Sequence, residues 1–238
     1  MSFSNTKIAV ITGAGSGIGM STAREFINAG YTTVLVGRTI NSLQALADTL
    51  GSNAFVVLCD ITQPDQVNQL FNTIKEKFGR IDVLFNNAGI SSPKVSIEKI
   101  EYQDWINAVN TNLTGTFLCA QAAFRLMKTQ TPMGGRIINN GSVAAISPRP
   151  MSPAYTATKH AVTGLTKSLS LDGREFDIAC GQIDCGAVDT PITKKLQESK
   201  IDPSEVARTV LHMAELPLST NILSLTIMPT KMPLIGRG

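Results

Sequence analysis

Tyr155 and Lys159 stand four residues apart in a segment, Ala154 to Leu171, whose pattern predicts a helix, so their side chains share one face. A phenol beside an ammonium is suited to moving a proton. At its ordinary pKa of about 10 a phenol is a poor partner near neutrality, and a nearby positive charge favours the phenolate. One unit charge at ~5 Å, with an effective dielectric of ~20, contributes roughly 3 kcal/mol. Ser142, just past the predicted strand Arg136 to Asn140, offers a neutral hydroxyl that can donate to an oxygen as charge develops on it. Reducing a carbonyl needs such a proton, and a hydride from a nicotinamide. Any helix can carry Y-x-x-x-K by chance, so the positions of these residues matter more than the pattern.

Gly13, Gly15, Gly17 and Gly19 lie between a predicted first strand, Lys7 to Thr12, and a predicted first helix, Ile18 to Ala29. There a doubly wound sheet binds dinucleotides, with the pyrophosphate against the backbone and the helix N-terminus. The spacing fits T-G-x-x-x-G-x-G, through Thr12, Gly13, Gly17 and Gly19, and not G-x-G-x-x-G. No Lys-Ser/Thr pair follows, which excludes a P-loop for nucleoside triphosphates. A turn with purely conformational glycines is the bland alternative. After the second strand the chain reads Val36-Gly37-Arg38-Thr39. Gly37 stands where an acid would hold the adenosine 2′-hydroxyl, and the Arg38 guanidinium suits a 2′-phosphate. NADP(H) is therefore favoured over NAD(H), against the alternative of a solvated surface arginine. Asp60 could accept from the adenine amino group or serve as a turn residue.

Strand-like and helix-like segments alternate throughout. Further strands are expected at Thr32–Val36, Ala54–Leu58, Val83–Phe85, Ile178–Ile183 and Ile222–Met228. Further helices are expected at Asn41–Leu50, Gln66–Phe78, Tyr102–Lys128 (as one helix) and Ser204–Ala214. The pattern predicts an α/β fold: a single Rossmann-type domain over residues 1–238. Its doubly wound, seven-stranded parallel sheet would run in the order 3-2-1-4-5-6-7 with helices on both faces. Asn86-Asn87-Ala88-Gly89 and Ser142 then fall on the same carboxyl rim as the glycine loop.

The composition agrees. With 238 residues, 43% hydrophobic and 16% charged, the chain can bury a full core. The net charge of +3 is modest and its basic residues are scattered, so no nucleic acid is expected. No apolar run is long enough to cross a membrane and no signal peptide is seen. Four cysteines and two histidines lack metal-ligand spacing. No metal is expected, and a reducing, cytoplasmic location is.

Taken together, Thr12-Gly13-x-x-x-Gly17-Ile18-Gly19, Asp60, Asn86-Asn87-Ala88-Gly89, Asn112-Leu113-Thr114-Gly115, Ser142 and Tyr155-x-x-x-Lys159 closely resemble the short-chain dehydrogenase/reductase family. The resemblance runs over about residues 7 to 190. It implies that Tyr155 is the general acid/base and Ser142 the donor to the substrate oxygen. Lys159 would hold the nicotinamide ribose, and Asn112 would kink its helix and anchor a water of the proton relay. It implies cofactor contacts from Ser16 and Ile18 in the loop, from Ile61 beside Asp60, and from Asn87, Ala88 and Gly89. Gly186 and Val188 would join them, with Thr190 reaching the carboxamide. A small carbonyl or alcohol substrate is implied, as is a homo-oligomer, tetramer or dimer, built on the two long helices.

Two departures stand out. Cys185-Gly186 replaces the family's Pro-Gly, and the substrate-covering segment, about 190–202, is short. A short lid points to an open site that a neighbouring subunit's tail could complete. A 3-oxoacyl thioester reductase, with Lys194, Lys195 and Lys200 as its basic patch, is one alternative function. A non-catalytic dinucleotide sensor is another. His160 and His212 are expected to be structural.

Overall fold

Apolar runs without alternation fold here as strands buried on both faces. The structure, a computed structural model, describes residues 6–194 and 199–233. Strands β1 (Ile8–Thr12), β2 (Thr32–Gly37), β3 (Ala54–Leu58), β4 (Val83–Asn86), β5 (Gly135–Asn140), β6 (Ile178–Cys185) and β7 (Ser224–Ile227) form one sheet. The order is β3-β2-β1-β4-β5-β6-β7, as expected, and every pairing is parallel. Val10, for example, pairs with Val34 on one side and Leu84 on the other.

Alternate strand residues face opposite layers. Ala9, Ile11 and Leu35 pack with Phe26 of α1 (Gly17–Asn28), Leu43 of α2 (Ile40–Leu50) and Val210 of α7 (Pro203–Glu215). Ile8, Val10 and Val34 pack with Phe71 of α3 (Pro64–Phe78) and Ala123 of α5 (Thr116–Thr129). Helices α4 (Tyr102–Val109) and α6 (Pro153–Asp172) complete the set. The order reverses between β1 and β4, which opens a crevice at their carboxyl ends.

Two elements differ from expectation. Tyr102 to Lys128 is not one regular helix: a π-helical segment, Asn110–Gly115, separates α4 from α5. The wider turn carries Asn112 out to the backbone of Ile90, and Gly115 lets that turn approach Ile61. The last strand is shorter than Ile222–Met228, because Met228 and Pro229 turn across Gly186 instead of extending the ladder.

Arg136 is the second residue of β5 and is 2% exposed. Its guanidinium donates to the carbonyls of Leu216 at 3.0 Å, Pro217 at 3.2 Å and Thr220 at 3.0 Å, and to Asn221 Oδ1 at 3.3 Å. It thus ties the α7–β7 connection to the sheet. Arg136→Ala strands those acceptors and leaves a void, so a loss of about 3 kcal/mol is expected in urea unfolding. A loss below about 1 kcal/mol would show that water replaces the guanidinium freely.

Candidate functional site

The glycine turn is built by the strand beside it. Thr12 Oγ1 accepts from the N–H groups of Asn87 at 2.9 Å and Ala88 at 3.0 Å, while Asn87 Nδ2 donates to the Thr12 carbonyl at 2.9 Å. This clamp leaves no room for side chains. A Cβ on Gly13, which has φ +65°, would come within 2.9 Å of Ala88 Cα. One on Gly19 would collide with the Gly13 carbonyl and lie 2.6 Å from Asn87 Nδ2.

The first N–H groups of α1 have no intrahelical acceptor, the Ser16 side chain does not cap them, and no acid stands in the first turn. That donor set and the bare backbone fit a pyrophosphate. Further along the same cleft, Arg38 follows β2 exposed, and Asp60 and Ile61 follow β3. Asp60 Oδ1 accepts from Thr62 N at 3.0 Å and Thr62 Oγ1 at 2.8 Å, so Asp60 is a turn residue that also lines the cleft.

At the other end stand Ser142, Tyr155 and Lys159. Lys159 is 5% exposed; its Nζ lies 5.6 Å from the Tyr155 ring centre and donates to the Asn140 carbonyl at 2.7 Å. Ser142 follows β5 in extended backbone, and its Oγ accepts from Ala144 N at 3.1 Å. A polar thread joins the two ends: Asn140 Nδ2 donates to Asn87 Oδ1 at 3.0 Å. The cleft therefore carries anion-binding backbone at one end and a phenol, an ammonium and a hydroxyl at the other. That arrangement can hold a dinucleotide and exchange a proton with an oxygen.

The expected residues mostly converge. Gly13, Ser16, Gly17, Ile18, Arg38, Asp60 and Ile61 line the cleft from one side. Asn87, Ala88, Gly89, Gly186, Val188 and Thr190 line it from the other. Gly19 and Asn112 do not. Gly19 is needed for the close approach just described, and Asn112, 1% exposed, braces the turn after β4. Its Oδ1 accepts from Ile90 N at 2.8 Å, and its Nδ2 donates to the Ile90 carbonyl at 3.0 Å. Sequence reasoning missed Ile90, Thr111, Asn140, Ile192 and Thr193 as lining residues. Asn140 alone carried a usable signal, since it directly precedes Gly141-Ser142.

Cys185 lines the cleft, yet burial pushes its thiol up to about 12, despite the opposing Lys159 charge, which disfavours the reactive thiolate. His160 and His212 are both exposed, and neither lines the cleft. The chain's own Met228, Pro229 and Met232 pack on Gly186, with Met232 Sδ accepting from Ala187 N at 3.3 Å. None of these three lines the cleft; residues 234–238 and Lys195 lie outside the described residues. Among those residues no cluster could hold a metal ion.

Known proteins agree with this geometry. The model of the short chain dehydrogenase family matches residues 7–201. A 3beta-hydroxysteroid dehydrogenase of Mediterraneibacter gnavus is 38% identical over 192 residues, covering 79% of this chain and 68% of that protein. A serine dehydrogenase solved with NADP+ is 28% identical, with a TM-score of 0.89 over 95% of this chain and 96% of that one. A 3-ketoacyl-(acyl-carrier-protein) reductase of Brucella melitensis, solved with NADH, is 27% identical, with a TM-score of 0.89 over 93% and 96%. On the family match and the shared fold, the chain belongs to the short-chain dehydrogenase/reductase family of oxidoreductases.

Proposed function

We propose that the chain moves a hydride between a nicotinamide cofactor and a carbonyl or secondary-alcohol carbon, with Tyr155 as general acid/base. The observation that carries this reading is the single cleft shared by Ser142, Tyr155, Lys159 and the glycine loop. The cofactor, when bound, supplies or accepts the hydride. The chain's residues do the rest. The bare backbone at Gly13–Ile18 holds the pyrophosphate. Ser142 Oγ already accepts from Ala144, which leaves its own proton to donate to the substrate oxygen. Tyr155 gives that oxygen a proton in reduction and takes one in oxidation. Lys159, oriented by the Asn140 carbonyl, donates to the ribose. Asn112 braces this wall, and a water held there would relay the proton.

NADP(H) is favoured over NAD(H) because the cleft presents Arg38 and no acid at the end of β2. Arg38→Ala is expected to raise the Kd for NADPH roughly tenfold to a hundredfold while leaving NADH within about twofold, since a charged hydrogen bond is lost only with the 2′-phosphate. Fluorescence titration with each cofactor measures this. Equal losses for both, or better turnover with NADH in the native protein, would defeat the preference.

The substrate is a small carbonyl or alcohol compound. A recess of about 110 Å³ beside Tyr155, walled by Ser92, Val143, Arg149, Ser152 and Ile192, supports a modest substituent. The segment at about 190–202 is its substrate loop within one domain: of its described residues, Ile192 and Thr193 line the recess, and the Ile201 carbonyl accepts from Asp189 N at 2.9 Å. A panel of ketones, alcohols and acyl thioesters with both cofactors tests the reaction class; no turnover with any of them would sink it. Thioester reduction is the second reading, favoured by the 3-ketoacyl reductase neighbour. Of its basic patch, Lys200 already pairs with Asp189 at 3.6 Å.

We further propose a homo-oligomer, with the exposed Phe117 and Leu171 on α5 and α6 as its contact faces, and a cytoplasmic location. All four cysteines are buried and free, which fits a reducing compartment. No helix among the described residues is long and apolar enough to cross a membrane. The scattered charge gives no support for a nucleic-acid partner.

A further inference from the structure

Asp184 sits near the end of β6 and is 1% exposed. Its Oδ1 accepts the backbone N–H of Ser142 at 2.9 Å and Gln182 Nε2 at 2.7 Å, and Ser224 Oγ of β7 lies 3.3 Å from its Oδ2. Gln182 is itself held from α6: its Nε2 donates to Thr163 Oγ1 at 2.9 Å and its Oε1 accepts from Thr166 Oγ1 at 3.1 Å. Thr166 in turn accepts from Asn139 Nδ2 at 2.9 Å, and Asn86 Nδ2 donates to Asn139 Oδ1 at 3.0 Å. The network thus runs from β4 through β5, α6 and β6 and ends on Ser142. Space is reserved for it. A Cβ on Gly141 would collide with Asp184 Oδ1 and lie 2.6 Å from Gln182 Nε2. A buried carboxylate is costly unless its hydrogen bonds are met, and here they are met by a group adjoining the reacting hydroxyl.

We propose that Asp184 is a positioning residue that fixes the Ser142 backbone, so that the Ser142 hydroxyl faces the reacting oxygen. The inference rests on the role given above to Ser142. Asp184 lines neither the cleft nor the adjoining recess, so it acts through Ser142 and touches no substrate. Of the charged and titratable groups around it, the Lys159 ammonium of α6 favours its anion, and the neighbouring Cys185 thiol is held neutral by burial. The groups facing it from β7 and from the loop after β5, Ser224 and Ser142, are uncharged.

The test compares Asp184→Ala, Asp184→Asn, Ser142→Ala and the Ser142→Ala/Asp184→Ala double variant. Asp184→Ala is expected to lower kcat on the order of 30-fold with the Kd for cofactor unchanged, as loosened support shells do. Asp184→Asn still offers an acceptor to Ser142 N–H and is expected to recover kcat to within about threefold. In the Ser142→Ala background, Asp184→Ala is expected to cost nothing further, because residues acting as a unit are not additive. Should the alanine variant not fold, Asp184→Ser serves, being too short to reach Ser142.

Burial raises the Asp184 carboxyl above its ordinary value, so wild-type stability falls as pH rises from the ordinary carboxylate range through the raised one. Asp184→Asn lacks that fall, so its Tm relative to wild type is expected to grow across that interval. Amide exchange at Ser142 gives a readout without turnover and is expected to quicken at least tenfold in Asp184→Ala. A folded Asp184→Ala with unchanged kcat and unchanged Ser142 exchange, or multiplicative losses in the double variant, would overturn the proposal. A wild-type protein inactive on every carbonyl and alcohol overturns the enzyme reading instead, and exchange then decides whether Asp184 anchors Ser142 at all.

Discussion

Replacing Tyr155 with phenylalanine is expected to cut turnover by about three orders of magnitude while leaving cofactor affinity within about twofold. The substitution removes one oxygen and keeps the ring, which is partly buried on α6 between the cleft and the recess. Packing should therefore survive, and the unfolding midpoint should move little. What disappears is the atom that can exchange a proton with the substrate oxygen. Ser142 cannot take over, because among the described residues no base is hydrogen-bonded to its Oγ, and such a hydroxyl neither releases nor recovers a proton readily near neutrality. Lys159 is turned to the Asn140 carbonyl at 2.7 Å and is held there by burial. Steady-state kinetics in both directions, paired with cofactor titration, make the measurement. A variant that keeps a tenth or more of wild-type kcat would remove Tyr155 from the chemistry.

Gly19→Val is expected to abolish cofactor binding, with Kd raised more than about a hundredfold and stability lowered by roughly 2–3 kcal/mol. The cause lies first in backbone, and then in a side-chain amide that is itself hydrogen-bonded to the turn. The added Cβ meets the Gly13 carbonyl and the Asn87 amide nitrogen, and both belong to the clamp that shapes the turn. Relief requires α1 to lift from the sheet, which carries its N–H groups away from the pyrophosphate position. Gly30→Ala is the control. Gly30 has φ +88° but nothing within 4 Å of a built Cβ, so only conformational strain of about 1 kcal/mol is expected, with Kd unchanged. Similar cofactor affinity in both variants would mean that the glycine loop does not hold the dinucleotide.

The strand order was legible in the sequence because buried parallel strands read as unbroken apolar runs such as Ile8–Thr12, with glycine or a helix cap closing each unit. The cleft was legible for a related reason: the carboxyl ends of β1, β4 and β5 must converge, and the chemistry-bearing residues sit at those ends. Four features were not. The π-helical turn at Asn110–Gly115 leaves no period in the sequence, since a single wide turn shifts the apolar face without breaking it, and only the family resemblance implied a kink at Asn112. Asn112 was picked out, but its partner Ile90, 22 residues earlier, is set by tertiary packing. Asp184 lies one residue beyond the strand expected at Ile178–Ile183, and its meaning depends on residues up to 42 positions away. Likewise nothing local in Met228–Met232 announces that it will lie on Gly186.

The hydrogen bonds linking Thr12, Asn87, Asn140 and Lys159 span the floor of the cleft from the diphosphate end to the amine. That floor is hydrogen-bonded before any guest arrives. The entropy of ordering these groups is therefore lost when the chain folds, not when it associates, and dinucleotide capture should leave the backbone beneath almost still.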